Sequence, residues 1–282
     1  QALPTPYKGK DGDGAICLIT GQNPDLGMKE QQQRIMGLYP GVHDDYRSLP
    51  VHRNLTPGIM QRFTDYHELG HCMDQHYLPA FRTDSNARYD FDWQLALTHR
   101  AESYAEIFAA LMLARDGEAD VAGIRADHRL VGIATNGYLL AQMAGWQQIE
   151  KYVGYIYALH EGLWEAQHEI DRIGRDKIRT MTPQELAEIA YQVTERDAAR
   201  RKGADYAITY MLEHKFDLSP WDDLRQELPH IDNAYRIAAE VREQIAQAFV
   251  RVFGAEAFDP SQPVYAQIAR DMPPDSPAGP DA

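Results

Sequence analysis

The chain lacks the features that mark a membrane protein. No apolar run approaches the ~20 residues of a transmembrane helix, and the longest one, residues 107–114, lies within an amphipathic pattern. No signal peptide is visible, although the chain begins with Gln1 rather than Met. Removal of an export signal and trimming of the chain both stay open. An exported location (periplasmic or secreted) and a cytoplasmic one therefore stay open too.

Positive charge is also scarce. The 28 Lys and Arg residues are outnumbered by 42 Asp and Glu residues, which gives a formal net charge of −14 and a pI near 5.2. Non-specific nucleic-acid binding requires clustered Lys and Arg. We therefore expect no nucleic-acid partner, while the oligomeric state stays open.

Cysteine is limited to Cys17 and Cys72. Cys72 directly follows His71, and a side chain one residue further round a helix points away from the preceding one. We therefore do not expect Cys72 to bind a metal together with that histidine. A Cys17–Cys72 disulfide and two free thiols both stay open.

The length and composition allow one large domain or two small ones, since 44% of the 282 residues are hydrophobic. Only Ala15–Thr20, between Gly14 and Gly21, is an obvious strand. The fold class is therefore mainly α, or α+β with a small sheet near the N-terminus. The expected divisions are a flexible arm over 1–13, a metal-binding core over 14–116, a helical subdomain over 117–270 packed on that core, and a disordered tail over 271–282.

The helices are indicated by their ends and by apolar periodicity. Thr56-Pro57 is a typical helix start, and Pro79 is expected to end that helix. A second helix is expected over 93–115, closed by Gly117. Further helices are expected over 137–173 (one or two), from the capping box at Thr182, near 197–214 and near 232–252.

The first helix carries the sequence His67-Glu68-Leu69-Gly70-His71. Residues four apart lie roughly 40° apart around a helix, so both imidazoles can reach one metal ion. Glu68 is the next residue round and can reach a metal-bound water, which is the arrangement of a zinc hydrolase. Gly70 costs about 1 kcal/mol relative to Ala in a helix, and close approach of a neighbouring backbone would explain it.

A catalytic zinc usually has a third protein ligand. A metzincin needs Gly three residues and His six residues after the second histidine. Asp74 and Tyr77 occupy those positions, so that class is excluded. His76 points elsewhere on the helix and is interpreted as a surface or capping histidine.

The second helix supplies a better candidate in Glu102 and Glu106, which are four residues apart and share a face. Neither has a Lys or Arg three or four residues away. Their Ala, Tyr and Phe neighbours indicate partial burial, which requires a compensating cation or hydrogen-bond donors. We expect Glu102 to bind the metal and Glu106 to accept a hydrogen bond from the free ring nitrogen of a ligand histidine.

The pair of motifs, H-E-x-G-H and E-x-x-A-E, resembles the gluzincin branch of the zinc metallopeptidases. The resemblance covers residues 56–116 and implies a zincin-like core, a zinc ion and a peptide or protein substrate. It also implies a Glu as third ligand, with an acidic residue four positions later that supports a ligand histidine. In many relatives a sheet lies beside the motif helix.

The implied mechanism uses zinc held by His67, His71 and Glu102 to lower the pKa of a bound water. Glu68 acts as general base and then passes the proton to the leaving amine. A Tyr or His usually stabilises the oxyanion in such enzymes, and the sequence does not choose among four candidates that are individually better explained as packing residues: Tyr104, Tyr206, Tyr210 and His214.

Two alternatives stay open. Glu68-x-x-His71 and Glu165-x-x-His168 both match the E-x-x-H ligand unit of di-iron carboxylate helix bundles. Glu102 or Glu106 would add a carboxylate to such a site. The other alternative is a zinc-bearing scaffold without peptidase activity, which acts through partners.

Overall fold

The computed structural model describes residues 2–9, 12–19, 55–74, 91–138, 140–141, 145–200 and 204–272, and this part of the chain is mainly helical. The mainly α fold class is thus confirmed. The strands are β1 (Ala2–Gly9) and β2 (Gly12–Ile19); the helices are α1 (Pro57–Met73), α2 (Phe91–Arg115), α3 (Val121–Gly132), α4 (Trp146–Ile173), α5 (Arg175–Ile178), α6 (Pro183–Arg200), α7 (Ala204–Glu213), α8 (Leu224–Glu227), α9 (Pro229–Phe253) and α10 (Val264–Asp271).

Strands β1 and β2 pair as an antiparallel hairpin in which Gly9 lies opposite Gly12 and Ala2 opposite Ile19. The structure thus has a strand where the composition suggested a flexible arm over 1–13. The glycines that indicated a loose segment flank the connection between the two strands. Glycine is common at such connections because it adopts the backbone angles that tight turns need.

Helix α1 begins as expected at Thr56-Pro57. The Thr56 hydroxyl accepts a hydrogen bond from the backbone N–H of Ile59 at 3.2 Å, and Pro57 occupies the first helical turn. The helix ends at Met73, before Pro79, because the backbone of Asp74 is extended. His76, Tyr77 and Pro79 lie outside the described residues.

Helix α2 is the central element around which its neighbours pack. It contacts α1, α5 and α6, and the side chains from Tyr104 to Ala114 are buried. Its expected end is confirmed: the chain leaves the helix through Gly117, whose φ of +106° is accessible to glycine at little cost. The reciprocal capping box before α6 is also confirmed, by Thr182 and Glu185.

The chain divides into two compact units. The first contains both strands, α1, α2, α5, α6, α3 as far as Arg125 and α4 from Glu161. The second contains the rest of α3, α4 as far as His160, and α7 to α10. This division differs from the contiguous core and helical subdomain expected from the sequence. Residues 161–200 group with the motif helix because α6 packs against α2, a long-range contact that local periodicity cannot show.

The second unit has its own apolar core, to which α9 contributes a helical stripe that includes Ala238, Val241, Ile245 and Phe249. A π-helical turn, Ile133–Gly137, follows α3 and is buried throughout. The helix expected near 197–214 is replaced by the end of α6 and by α7. Helix α10 extends to Asp271, at the start of the expected tail, and residues 273–282 lie outside the described part.

No helix in the described ranges has the length and apolarity needed to cross a membrane. This finding agrees with the scarcity of long apolar runs in the sequence.

His160, on α4, is a buried histidine of the second unit. Its Nδ1 lies 3.0 Å from the carbonyl oxygen of Ala126, to which it donates as the neutral ring. Burial and the nearby charge of Arg251 lower the pKa of His160 to about 4, although the bond to Ala126 opposes the shift. As the pH falls, His160 therefore becomes protonated in the unfolded chain at a higher pH than in the folded protein.

We predict that His160 makes folding stability decrease below pH 6.5. The loss should accumulate between about pH 6.5 and 4 and reach about 3 kcal/mol, because the folded pKa lies below the unfolded one. Urea unfolding at pH 7.5 and 4.5 would measure it for wild type and His160→Gln. The variant should lose less stability between the two pH values; equal losses in the two proteins would contradict the assignment.

Candidate metal centre

Helices α1 and α2 form an antiparallel pair. At one end the Tyr66 hydroxyl donates to Asp116 at 2.7 Å, and Arg62 pairs with Glu118 at 2.9 Å. At the other end His71 approaches Glu102. The N-terminal part of α1 thus lies beside the C-terminal end of α2, and the motif histidines face the part of α2 that carries Glu102.

The two motif histidines converge as their spacing predicts. Their Nε2 atoms are 3.1 Å apart, and their rings meet edge to face with centroids 4.7 Å apart. The side chains of His67 and His71 are 16% and 14% exposed. Each ring therefore presents its Nε2 to one shared point while most of its surface is covered.

Glu102 completes the group from α2. One carboxylate oxygen lies 3.3 Å from Nε2 of His67, and the other lies 3.5 Å from Nε2 of His71. The Glu102 side chain is 44% exposed, so this edge of the group faces solvent. Among the residues that the structure describes, these three form the one group of His, Cys, Asp or Glu side chains placed to hold a metal ion, with ligand atoms within 4.8 Å of one another.

The separations fit a small divalent ion. Tetrahedral zinc with bonds of about 2.0–2.1 Å separates its ligand atoms by about 3.3 Å. The shortest distances between the three side chains, 3.1, 3.3 and 3.5 Å, are of that size, with His67 and His71 each facing a different oxygen of the Glu102 carboxylate. Two imidazoles and one carboxylate are also a donor set of catalytic zinc sites. The residues present therefore fit the ion that the motif implies.

The ionisation of Glu102 and of His71 is perturbed within this group. Burial raises the pKa of Glu102, but hydrogen bonds and charge from His67 and His71 outweigh it and hold that pKa well below its usual range. Burial lowers the pKa of His71, whereas its hydrogen bond with Glu102 and the charges of Glu102, Glu68 and Asp74 raise it, for a net increase. At neutral pH the carboxylate is ionised, as a metal ligand must be.

Gly70 allows α1 and α2 to approach each other closely. A Cβ at this position would lie 3.0 Å from the Cα of Ala105, 3.3 Å from its Cβ and 3.3 Å from a ring carbon of Phe108. No side chain larger than hydrogen fits without movement of α2. The close approach expected from the glycine is thus confirmed, and its partner is the backbone that carries Glu102.

Glu106 is buried and bonded to Arg125, whose Nη2 lies 2.5 Å from Oε1 of the carboxylate. A buried Glu106 was expected to need compensation, from zinc and a histidine N–H; the structure provides Arg125 as a partner. Arg125 was missed because it is 19 residues away in the chain, on α3. The expected hydrogen bond from a ligand histidine to Glu106 stays a prediction.

Glu68 lies on α1 between the two histidines and is half-buried. It is not a member of the three-residue group, as expected for a residue that acts on a water rather than on the metal. Its assignment as general base stays a prediction.

The residues considered for the oxyanion mostly pack against other rings. Tyr104 is buried on α2 and stacks on Phe108. On α7, Tyr210 stacks at 3.9 Å on His214 and at 3.8 Å on Trp221. Tyr206, which also stacks on Trp221, is 47% exposed. The geometry of these side chains assigns none of them to the metal centre.

The side chains of the second E-x-x-H unit, Glu165 and His168, make a different set of contacts. Glu165 pairs with Arg196 at 3.3 Å, while His168 lies 4.0 Å from the same carboxylate and is 69% exposed. Over the described residues, no further ligand joins them in a metal-binding group. This geometry disfavours the di-iron alternative.

Cys72, next to His71, is disulfide-bonded. The chain contains one other cysteine, Cys17. Because a disulfide sulfur is not a thiolate, Cys72 does not add a ligand to the group.

Comparisons with known proteins identified no matching family model, no similar curated protein and no similar solved structure. The function of the site must therefore be argued from its own geometry and chemistry.

We predict that Gly70→Ala destabilises the protein although alanine is the better helix former. The added methyl group should force α1 and α2 apart and cost roughly 1–3 kcal/mol, as overpacking does. Gly58→Ala, on the same helix, is the control because its Cβ would meet only the Thr56 hydroxyl at 3.9 Å. Urea unfolding would compare the variants; a Gly70→Ala protein as stable as Gly58→Ala would refute the close-packing explanation.

Proposed function

We propose that this protein is a zinc-dependent metallopeptidase of the gluzincin type. The observation that supports this function best is the convergence of His67, His71 and Glu102 from two helices onto one point. Glu68 lies between the two histidines on the same helix, and we propose that it is the general base. The half-exposed Glu102 leaves the group accessible from solvent, as a site that receives a peptide must be.

The surroundings are compatible with a zincin-like core. Both strands of the N-terminal hairpin contact α1, and α2 also packs against that helix. A small sheet beside the motif helix and a third-ligand helix against it are the elements that the resemblance to gluzincins implies. We propose that β1, β2, α1 and α2 constitute this core.

The chain's own side chains divide the work of hydrolysis. A zinc ion in the group would act as a Lewis acid that acidifies water and polarises the peptide carbonyl. His67 and His71 would offer ring nitrogens as ligands, and Glu102 would offer a negative charge. Glu68 accepts a proton from the attacking water and delivers it to the amide nitrogen as the carbon–nitrogen bond breaks. Water thereby adds across the peptide bond, yielding a carboxylate and an amine.

The disulfide of Cys72 supports an exported location. Disulfides persist in oxidising compartments and are rare in the cytosol. We therefore infer that the protein works outside the cytoplasm, where peptides or proteins would be its substrates.

We predict that the wild-type protein binds one zinc ion per chain and that Glu102→Ala weakens this binding at least tenfold, because it removes one of three ligands. Elemental analysis and titration against a competing chelator would measure both quantities. Glu165→Ala is the control, since it removes a carboxylate paired with Arg196 rather than a ligand. Full zinc affinity in Glu102→Ala would refute the ligand assignment, and two irons per chain would favour the di-iron alternative.

We predict that Glu68→Gln retains zinc but reduces peptide hydrolysis by about 10²- to 10⁴-fold, because glutamine cannot accept the proton. A broad peptide-cleavage screen on zinc-loaded protein would measure the activity. Asp65→Asn is the control: this exposed carboxylate of α1 bonds only locally to Gln61. Equal cleavage by wild type and Glu68→Gln would show that the mechanism is wrong. A zinc-loaded wild type that cleaves no peptide would favour the scaffold alternative.

A further inference from the structure

Arg125 joins the two ligand-bearing helices inside the first unit. Its side chain projects from α3 and is only 4% exposed. The guanidinium donates to Glu106 of α2, with Nη2 2.5 Å from Oε1. Its central carbon also lies over the ring of Phe63 of α1, 4.8 Å from the ring centroid. One side chain therefore contacts both α1 and α2.

Both contacts lie one helical turn from metal-ligand residues. Phe63 precedes His67 by four residues on α1, and Glu106 follows Glu102 by four residues on α2. Since the helices are antiparallel, Phe63 and Glu106 lie on the same side of His67 and Glu102 along the helix pair. Arg125 thus bridges the helices at the turn next to the one where His67 meets Glu102.

The bridge depends on the chemistry of arginine. The side chain of Glu106 is 3% exposed, and a buried carboxylate is costly unless a cation compensates it. A guanidinium is planar, so it can bond the carboxylate with its edge while its face covers the aromatic ring. A lysine would keep the charge but would not supply both contacts.

We propose that Arg125 is a positioning residue of the metal centre. By holding Phe63 and Glu106 together, it sets the separation between the imidazoles on α1 and the Glu102 carboxylate on α2. Zinc bonds tolerate deviations of only about 0.2 Å, so a small shift between the helices would weaken the site. This inference rests on the proposed zinc-binding function, although not on peptidase activity.

The second unit provides a matched control. Arg251 forms a two-pronged ion pair with Asp127 of α3, with distances of 2.7 and 2.8 Å, and the Asp127 side chain is 8% exposed. Loss of this pair should destabilise its own unit. Both members belong to the second unit rather than to α1 or α2, so the pair tests whether destabilisation alone changes zinc binding.

The experiment uses the full chain with Arg125→Lys, Arg125→Met and the double variant Arg125→Met/Glu106→Gln. The double variant removes both charges of the Arg125–Glu106 pair together, so it tests the bridge even if Arg125→Met does not fold. Arg251→Met/Asp127→Asn is the control. Zinc affinity is measured by chelator competition, the Co²⁺ absorption spectrum reports ligand geometry, and thermal unfolding of the zinc-free proteins reports stability.

We expect the double variant to fold, to bind zinc about 10- to 100-fold more weakly and to change the Co²⁺ spectrum, as loss of supporting contacts does in other metal sites. Arg125→Lys should bind zinc more tightly than the double variant but less tightly than wild type. The control should unfold at a lower temperature with unchanged zinc affinity and spectrum.

Three results would overturn the inference. If the double variant binds zinc as tightly as wild type with the same spectrum, Arg125 does not position the ligands, while the metal centre stands. If the control loses zinc affinity equally, the loss reflects general destabilisation. If wild type binds no zinc, the proposed function fails together with this inference.

Discussion

The structure of the site depends on the close contact between α1 and α2 at Gly70. The backbone of Ala105 occupies the space that a side chain at this position would need. Since Ala105 is three residues from Glu102, and Gly70 adjoins His71, this contact brings the carboxylate within reach of the imidazoles. A wider helix pair would retain every ligand residue and still lose the 3.3 and 3.5 Å separations from which the metal centre is inferred.

Much of the site could be predicted from the sequence because its key relations are local. The four-residue spacing of His67 and His71 fixes their common face on a helix, and the same holds for Glu102 and Glu106. The structure places His67, His71 and Glu102 together. Helix ends could also be predicted where they depend on local residues, as with the Thr56 cap and the positive φ of Gly117.

Two features that the sequence did not reveal depend on long-range contacts. Arg125 compensates Glu106 from another helix, and no pattern within either helix indicates that pairing. The grouping of residues 161–200 with the motif helix follows from the packing of α6 on α2. Residues 1–13 were expected to form a flexible arm, because glycine and polar residues are typical of both turns and loose segments. In the first two cases the deciding partner is distant in the chain, whereas the hairpin pairs segments that are close in sequence.

The unequal exposure of His67, His71 and Glu102 would have a consequence for the exchange of a bound ion. The histidines are 16% and 14% exposed and belong to one helix, whereas Glu102 is 44% exposed and belongs to another. An ion held here would be approached by solvent and by small chelators from the carboxylate side. A brief separation of α2 from α1 would release Glu102 first and leave the ion on the histidine pair. The lifetime of a bound ion would then follow the opening of the helix pair rather than the unfolding of the whole unit.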